Sequence, residues 1–158
     1  MPDLVETVGK ILLEKDLPLV TAESCTGGMV AAAITGRPGA SKIFERGFVT
    51  YSNESKNELL GVPFDLIDRY GAVSRETAEA MVRGALERSR GKIAVAVTGI
   101  AGPDGGTELK PVGLVYIGYA LKGGPIHVAE HHFSGDRTIN RQQTVEAAFR
   151  HLLEIAEQ

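Results

Sequence analysis

The stretch Thr21-Ala22-Glu23-Ser24-Cys25-Thr26-Gly27-Gly28 sets two nucleophilic side chains, Ser24 and Cys25, beside a glycine pair. An apolar run from Leu17 to Ala22 precedes it and reads as a buried strand. Met29 to Ile34 follows and reads as a short apolar helix. Such a strand ends facing the free N–H groups of a helix start. That geometry suits a bound phosphate or the oxyanion of an acyl transfer. It equally suits a plain strand–helix turn in which Ser and Thr act only as caps. No Gly-Lys-Ser/Thr follows, so the turn is not a Walker loop. It is not a Gly-x-Ser-x-Gly elbow either. Neighbours on a strand end face opposite ways, so only one of Ser24 and Cys25 is expected to reach a substrate.

A serine needs a base before it becomes a nucleophile. His127, His131 and His132 lie on or beside a late strand, and His151 lies in the last helix. None has His-Glu-x-x-His spacing, and all four read as surface or packing residues. Lysine is the alternative. The segment Gly47-Phe48-Val49-Thr50-Tyr51 ends a strand, and Lys56 follows just beyond it. A lysine acts as base only when desolvation or nearby positive charge lowers its pKa. Tyr51 could relay or donate a proton; both residues also read as an ordinary strand-end tyrosine and a solvated helix lysine. The spacing is one residue too long for a dehydrogenase Tyr-x-x-x-Lys, and no Rossmann fingerprint precedes it.

Two further segments could bind a ligand. Thr98-Gly99-Ile100-Ala101-Gly102-Pro103-Asp104-Gly105-Gly106 follows an apolar strand, at the sheet edge where open α/β folds bind ligands. Its glycines with Pro103 point to a shaped loop more than a floppy one. Arg137 and Arg141 fall in the first turns of the last helix, where cations oppose the helix dipole. A phosphate would offset that, as would a salt bridge to Asp136. Ligand contact is favoured for Arg137 over Arg141.

The elements that must position these groups follow from periodicity. Helices are expected over 3–15, 29–34, 53–60, 75–90 and 136–156, with a further helical turn at 64–70. Strands are expected over 17–22, 44–51, 92–98, 112–121 and 126–134. Ser74 reads as an N-cap and Gly61 as a helix stop. Lys122-Gly123-Gly124-Pro125 reads as a hairpin connection. Helices between strands, plus one hairpin, predict an α/β fold: a single three-layer α/β/α domain with a mixed β-sheet over residues 1–158.

Composition narrows the function classes. The chain has 158 residues, 43 % apolar and 23 % charged, which excludes disorder and suits one core. The net charge of −3 argues against nucleic acid as a partner. No apolar run is long enough to span a membrane, and the N-terminus lacks a signal-peptide pattern. The single cysteine excludes an internal disulfide and a cysteine-based zinc site. A cytoplasmic location is expected. The 19 glycines concentrate in a few loops, as where backbone is held close to another group.

Taken together, Thr21–Gly28, Gly47–Asn53 with Lys56, Thr98–Gly106, Lys110–Gly113 and Phe133–Arg137 resemble the CinA C-terminal domain family. The resemblance runs in order along essentially the whole chain. It implies a Ser–Lys amidohydrolase with Ser24 as nucleophile, Lys56 as base and Tyr51 assisting. The implied reaction converts nicotinamide mononucleotide to nicotinate mononucleotide and ammonia. Backbone near Cys25, Thr26, Gly27 and Gly28 would hold the oxyanion. Gly99, Ala101 and Gly102 of the glycine loop, with Arg137, would position ribose and phosphate. No metal or organic cofactor is expected, the partner is a small nucleotide, and a homo-oligomer is implied. Longer family members carry a pyrophosphatase domain for which these residues leave no room. Two rivals stay open: Cys25 as nucleophile, and a nucleotide-binding or regulatory module without turnover.

Overall fold

Strand β3 (Ile93–Gly99) is apolar from Ile93 to Val97 because both its faces are covered. Ile93, Val95 and Val97 point into one core, and Ala94 and Ala96 into the other. This period of two separates a bulky layer from a thin one. On the bulky side, α1 (Pro2–Glu14), α2 (Met29–Thr35) and α6 (Arg137–Ala156) pack with Leu12, Ile34, Phe149 and Leu152. On the thin side, α3 (Asn53–Leu60), α4 (Phe64–Tyr70) and α5 (Arg75–Glu87) cover the alanines with Leu60, Ile67, Met81 and Val82. The computed structural model describes every residue from Met1 to Gln158.

The five strands run in the order β2-β1-β3-β4-β5. Here β1 is Leu19–Glu23, β2 is Phe44–Val49, β4 is Leu114–Leu121 and β5 is His127–His132. β1 pairs in parallel with β2 and β3, while β4 is antiparallel to β3 and β5 to β4. The expected three-layer α/β/α arrangement with a mixed sheet is therefore the one observed. The parallel strands β1, β2 and β3 end on one edge, where their following loops meet.

The differences from the sequence expectation lie at element ends. β1 begins two residues later than Leu17, and β2 stops at Val49 rather than at Tyr51. α5 ends at Glu87, three residues short of the expected 90. Residues 64–70 form the full helix α4, where only a turn was expected, because Ile67 inserts into the thin-side core. Ser74 caps α5 through Thr77 N–H, and Gly61 closes α3 in the left-handed region, both as read from sequence. No helix is long and apolar enough to cross a membrane.

Candidate active site

β1 delivers Glu23 and Ser24 to the sheet edge with opposite orientations. Glu23 faces α2, and Ser24 faces α3. Ser24 is buried, and its N–H donates to Val97 O at 3.0 Å, so β3 fixes its backbone. Ser52 starts α3 by accepting from Ser55 N–H at 3.0 Å. One turn later Lys56 points back under the end of β2 and is 1 % exposed.

The Lys56 amine donates toward Ser24 Oγ at 3.1 Å, Thr50 O at 2.8 Å and Tyr51 O at 3.4 Å. No carboxylate salt-bridges it. Burial disfavours its ammonium form and lowers its pKa from the ordinary lysine value; Cys25 would oppose this only as a thiolate. A neutral amine has two N–H donors and one lone pair. The two carbonyls can take the donors, which leaves the lone pair for the Ser24 hydroxyl. This is the arrangement of a lysine base on a serine nucleophile.

Cys25 also lines the cleft, so both neighbours reach it, contrary to the expectation from strand alternation. The reason is that β1 ends at Glu23, and alternation stops with it. Burial pushes the Cys25 thiol up to about 11, so at neutral pH it is not a thiolate. No basic side chain hydrogen-bonds its sulfur. Cys25→Ala should therefore keep kcat within about threefold of the parent, a change typical of a packing adjustment outside the chemistry. Ammonia release by the purified variant checks this; a loss of a hundredfold or more would move the nucleophile to Cys25.

Tyr51 stands at the mouth, 61 % exposed. Its hydroxyl accepts from Arg137 Nη2 at 3.2 Å and lies outside the Ser24–Lys56 bond, which is direct. Its side chain therefore does not bridge Ser24 and Lys56, as a relay between them would require, though it stays in the cleft lining. Its backbone carbonyl, however, orients the lysine amine.

The turn after Ser24 is held from two sides. The Glu23 carboxylate accepts from Thr26 Oγ1 at 2.6 Å, Val30 N–H at 2.8 Å and Ala31 N–H at 3.1 Å. It thereby caps α2, whose N-cap Gly28 has no side chain to do so. The start of this helix, expected to be free for an anion, is thus already occupied. Arg141 Nε donates to Cys25 O at 3.0 Å, and its Nη2 to Thr26 O at 3.3 Å. Thr26, Gly27 and Gly28 do not line the cleft. Thr26 is fully buried on Glu23, and Gly27, at φ +59°, lies against the Arg141 guanidinium.

The cleft encloses about 250 Å³ and brings Ser24, Cys25, Tyr51 and Lys56 together with Gly99, Ala101, Gly102 and Arg137. Apolar Ala72, Val73 and Ile100 form part of its wall. The glycine loop is tied to α6: Arg137 Nη1 donates to Gly102 O at 2.8 Å, and buried Asn140 donates to Ala101 O at 3.0 Å. Asp136 does not pair with either arginine; it caps α6 through Ile139 N–H at 2.9 Å.

Glu23, Asp104 and Asn140 were not singled out from the sequence as site residues. Asp104 lines the cleft and adds a carboxylate to it. Glu23 had a readable signal, since α2 starts on glycine and needs an anion. None of the histidines lines the cleft: His131 and His151 bond each other at 2.9 Å, His132 pairs with Glu130, and His127 stacks on Tyr119. No three His, Cys, Asp or Glu side chains stand close enough together to hold a metal ion.

Comparison with known proteins finds chains similar to this one. The family model for the CinA C-terminal domain matches residues 2–156. A competence-damage inducible protein of Caldicellulosiruptor bescii is 52 % identical over 145 residues, covering 92 % of this chain and 35 % of that protein. A CinA-like protein of Akkermansia muciniphila is 49 % identical over 143 residues, 90 % of this chain and 34 % of its own. The chain thus spans about a third of these curated relatives. The crystal structure of a competence/damage inducible protein from Agrobacterium tumefaciens superposes with TM-score 0.96 at 43 % identity, covering 99 % of this chain and 95 % of that one. A CinA superfamily protein from Klebsiella pneumoniae gives TM-score 0.94 at 33 % identity, covering 99 % and 97 %.

Proposed function

Because this chain belongs to the CinA C-terminal domain family, we propose that its Ser24–Lys56 pair hydrolyses the carboxamide of nicotinamide mononucleotide to nicotinate mononucleotide and ammonia. One observation carries the reaction type: a buried lysine without a carboxylate partner, its amine 3.1 Å from a serine hydroxyl. The substrate class follows from the resemblance of the five motifs. The cleft's Arg137 and its apolar wall beside Ser24 support it.

Neutral Lys56 takes the Ser24 proton as Oγ attacks the carboxamide carbon. The carbonyl electrons move to oxygen, and the N–H of Cys25, a cleft-lining residue whose amide bonds to no backbone carbonyl of the chain, stabilises the oxyanion. The Lys56 ammonium then protonates the leaving nitrogen, and ammonia departs as the C=O reforms. Water gives a proton to Lys56 and adds to the Ser24 ester. Collapse returns the Lys56 proton to Ser24 and releases the carboxylic acid, which loses its proton to solvent to give nicotinate mononucleotide. Arg137 holds the phosphate, and Tyr51 offers its exposed ring to the pyridinium at the mouth. Binding energy from the remote phosphate is thereby available to the reacting amide. The reading needs no metal or organic cofactor and takes a small nucleotide as partner. It also takes the chain as a homo-oligomer, which light scattering tests.

The purified chain should release ammonia from nicotinamide mononucleotide and at least tenfold less efficiently from free nicotinamide, since one phosphate contact is worth about that in kcat/KM. No ammonia from either compound between pH 6 and 9 would overturn the catalytic reading. Binding of the mononucleotide without turnover would leave a nucleotide-binding module in its place.

A further inference from the structure

We infer that Arg141 is a positioning residue that sets the oxyanion-binding turn without touching substrate, an inference that rests on the Ser24 hydrolase reading. Arg141 lies in α6 and does not line the cleft. Its side chain crosses to the nucleophile turn and grips two consecutive carbonyls, Cys25 O at 3.0 Å and Thr26 O at 3.3 Å.

The consequence follows from peptide planarity. In a trans peptide the N–H points opposite to the C=O. Fixing Cys25 O therefore fixes Thr26 N–H. Fixing Thr26 O fixes Gly27 N–H, which donates to Ser24 O at 3.0 Å. That bond in turn fixes the Ser24–Cys25 peptide, and with it the N–H of Cys25, a residue that lines the cleft. The guanidinium thus holds the Cys25–Thr26 plane by itself and shares the Thr26–Gly27 plane with Met29 N–H, which donates to Thr26 O at 3.0 Å. The N–H groups of Cys25 and Thr26 stay free of bonds within the chain.

Two features make this a built device. Gly27 lies at φ +59°, and a methyl there would stand 3.3 Å from Arg141 Nη2, so the glycine lets the guanidinium close on the turn. Glu23 holds the same turn from the other side through Thr26 Oγ1 and the start of α2. A lysine offers no planar fork and cannot grip both carbonyls in this way.

The test compares wild type, Arg141→Ala and Arg141→Lys by two readouts. One is the labelling rate of Ser24 by a fluorophosphonate, which needs an oxyanion site but no natural substrate. The other is kcat and KM for nicotinamide mononucleotide. Arg141→Ala should lose up to about 10²-fold in kcat, the scale of an ångström-level misplacement, and a similar factor in labelling. KM should move less than about threefold, because no ground-state contact is removed. Guanidinium chloride at millimolar concentration should restore part of both rates in the alanine variant, and equal sodium chloride should not. Arg141→Lys should fall between the two and controls for folding.

Unchanged labelling and kcat in Arg141→Ala would overturn the inference. So would a loss carried by KM with labelling intact, which would make Arg141 a substrate-binding residue. If wild-type Ser24 neither labels nor turns over the mononucleotide, the hydrolase reading falls and takes this inference with it. If wild type labels but releases no ammonia, only the substrate assignment falls, and the labelling comparison still decides the role of Arg141.

Discussion

Ser24→Ala and Lys56→Met should each lower kcat for ammonia release by at least about 10³-fold, and the double variant should be no worse than the weaker single one. The two side chains act as one unit, and losing either member of such a unit removes nearly all of what the unit supplies. Ser24→Ala removes the atom that attacks. Lys56→Met keeps a long apolar chain in the buried slot but removes the lone pair that takes the proton. Multiplying losses in the double variant, or a residual rate above a tenth of wild type in either single, would sink the pair.

The same pair sets a pH dependence. Burial lowers the Lys56 pKa from the ordinary lysine value. Only the neutral amine is a base, so kcat/KM should rise with pH through the depressed pKa and level off above it. The rise should lie below the usual lysine range. Cys25, held near 11 by burial, should contribute no limb at neutral pH. A profile that falls with rising pH across that window would contradict a lysine base.

Gly84→Ala should destabilise the fold by about 3 kcal/mol or more, the upper end of overpacking costs, because the obstacle is backbone and cannot swing aside. Gly84 lies on the buried face of α5, and a methyl there would overlap the carbonyl of Leu60 at the end of α3. The gain in helix propensity, about 1 kcal/mol, is smaller. For a chain of this length the melting temperature should drop by roughly 6–12 °C. Activity should fall too. Leu60 and Lys56 are one turn apart on α3, so pushing Leu60 away draws Lys56 from Ser24. Thermal melting and ammonia release on the same preparation check both. A melting temperature within about 2 °C of wild type would mean that α3 slides freely on α5, and the link between this packing and the catalytic lysine would fail.

Much of the fold was legible because periodicity is written locally. The apolar run Lys92–Thr98, the cap at Ser74 and the stop at Gly61 each depend on a few neighbouring residues. The exact ends were less legible. β2 stops at Val49, level with the end of β1, and beyond it Lys56 takes the Thr50 and Tyr51 carbonyls, a contact across a turn that no local pattern encodes. The site was legible as a set of loops meeting at one sheet edge. It was not legible as a set of partners. Tyr51 reads as an assistant to the serine, yet its hydroxyl belongs to Arg137, 86 residues away. Gly27 and Gly28 read as ligand backbone, yet the space beside Gly27 is filled by Arg141.

The sequence by itself determined which residue types could react, which strand carries them and which loops share their edge, since each follows from short-range period, turn chemistry and chain order. Tertiary structure alone decided the direction of each side chain. It turned Lys56 inward and stripped it of water, which makes it a base. It spent the Glu23 carboxylate on α2, and it brought Arg141 to the back of the turn and Arg137 to its mouth. These outcomes depend on desolvation and on hydrogen bonds between residues far apart in the chain, and both exist only once the layers have closed.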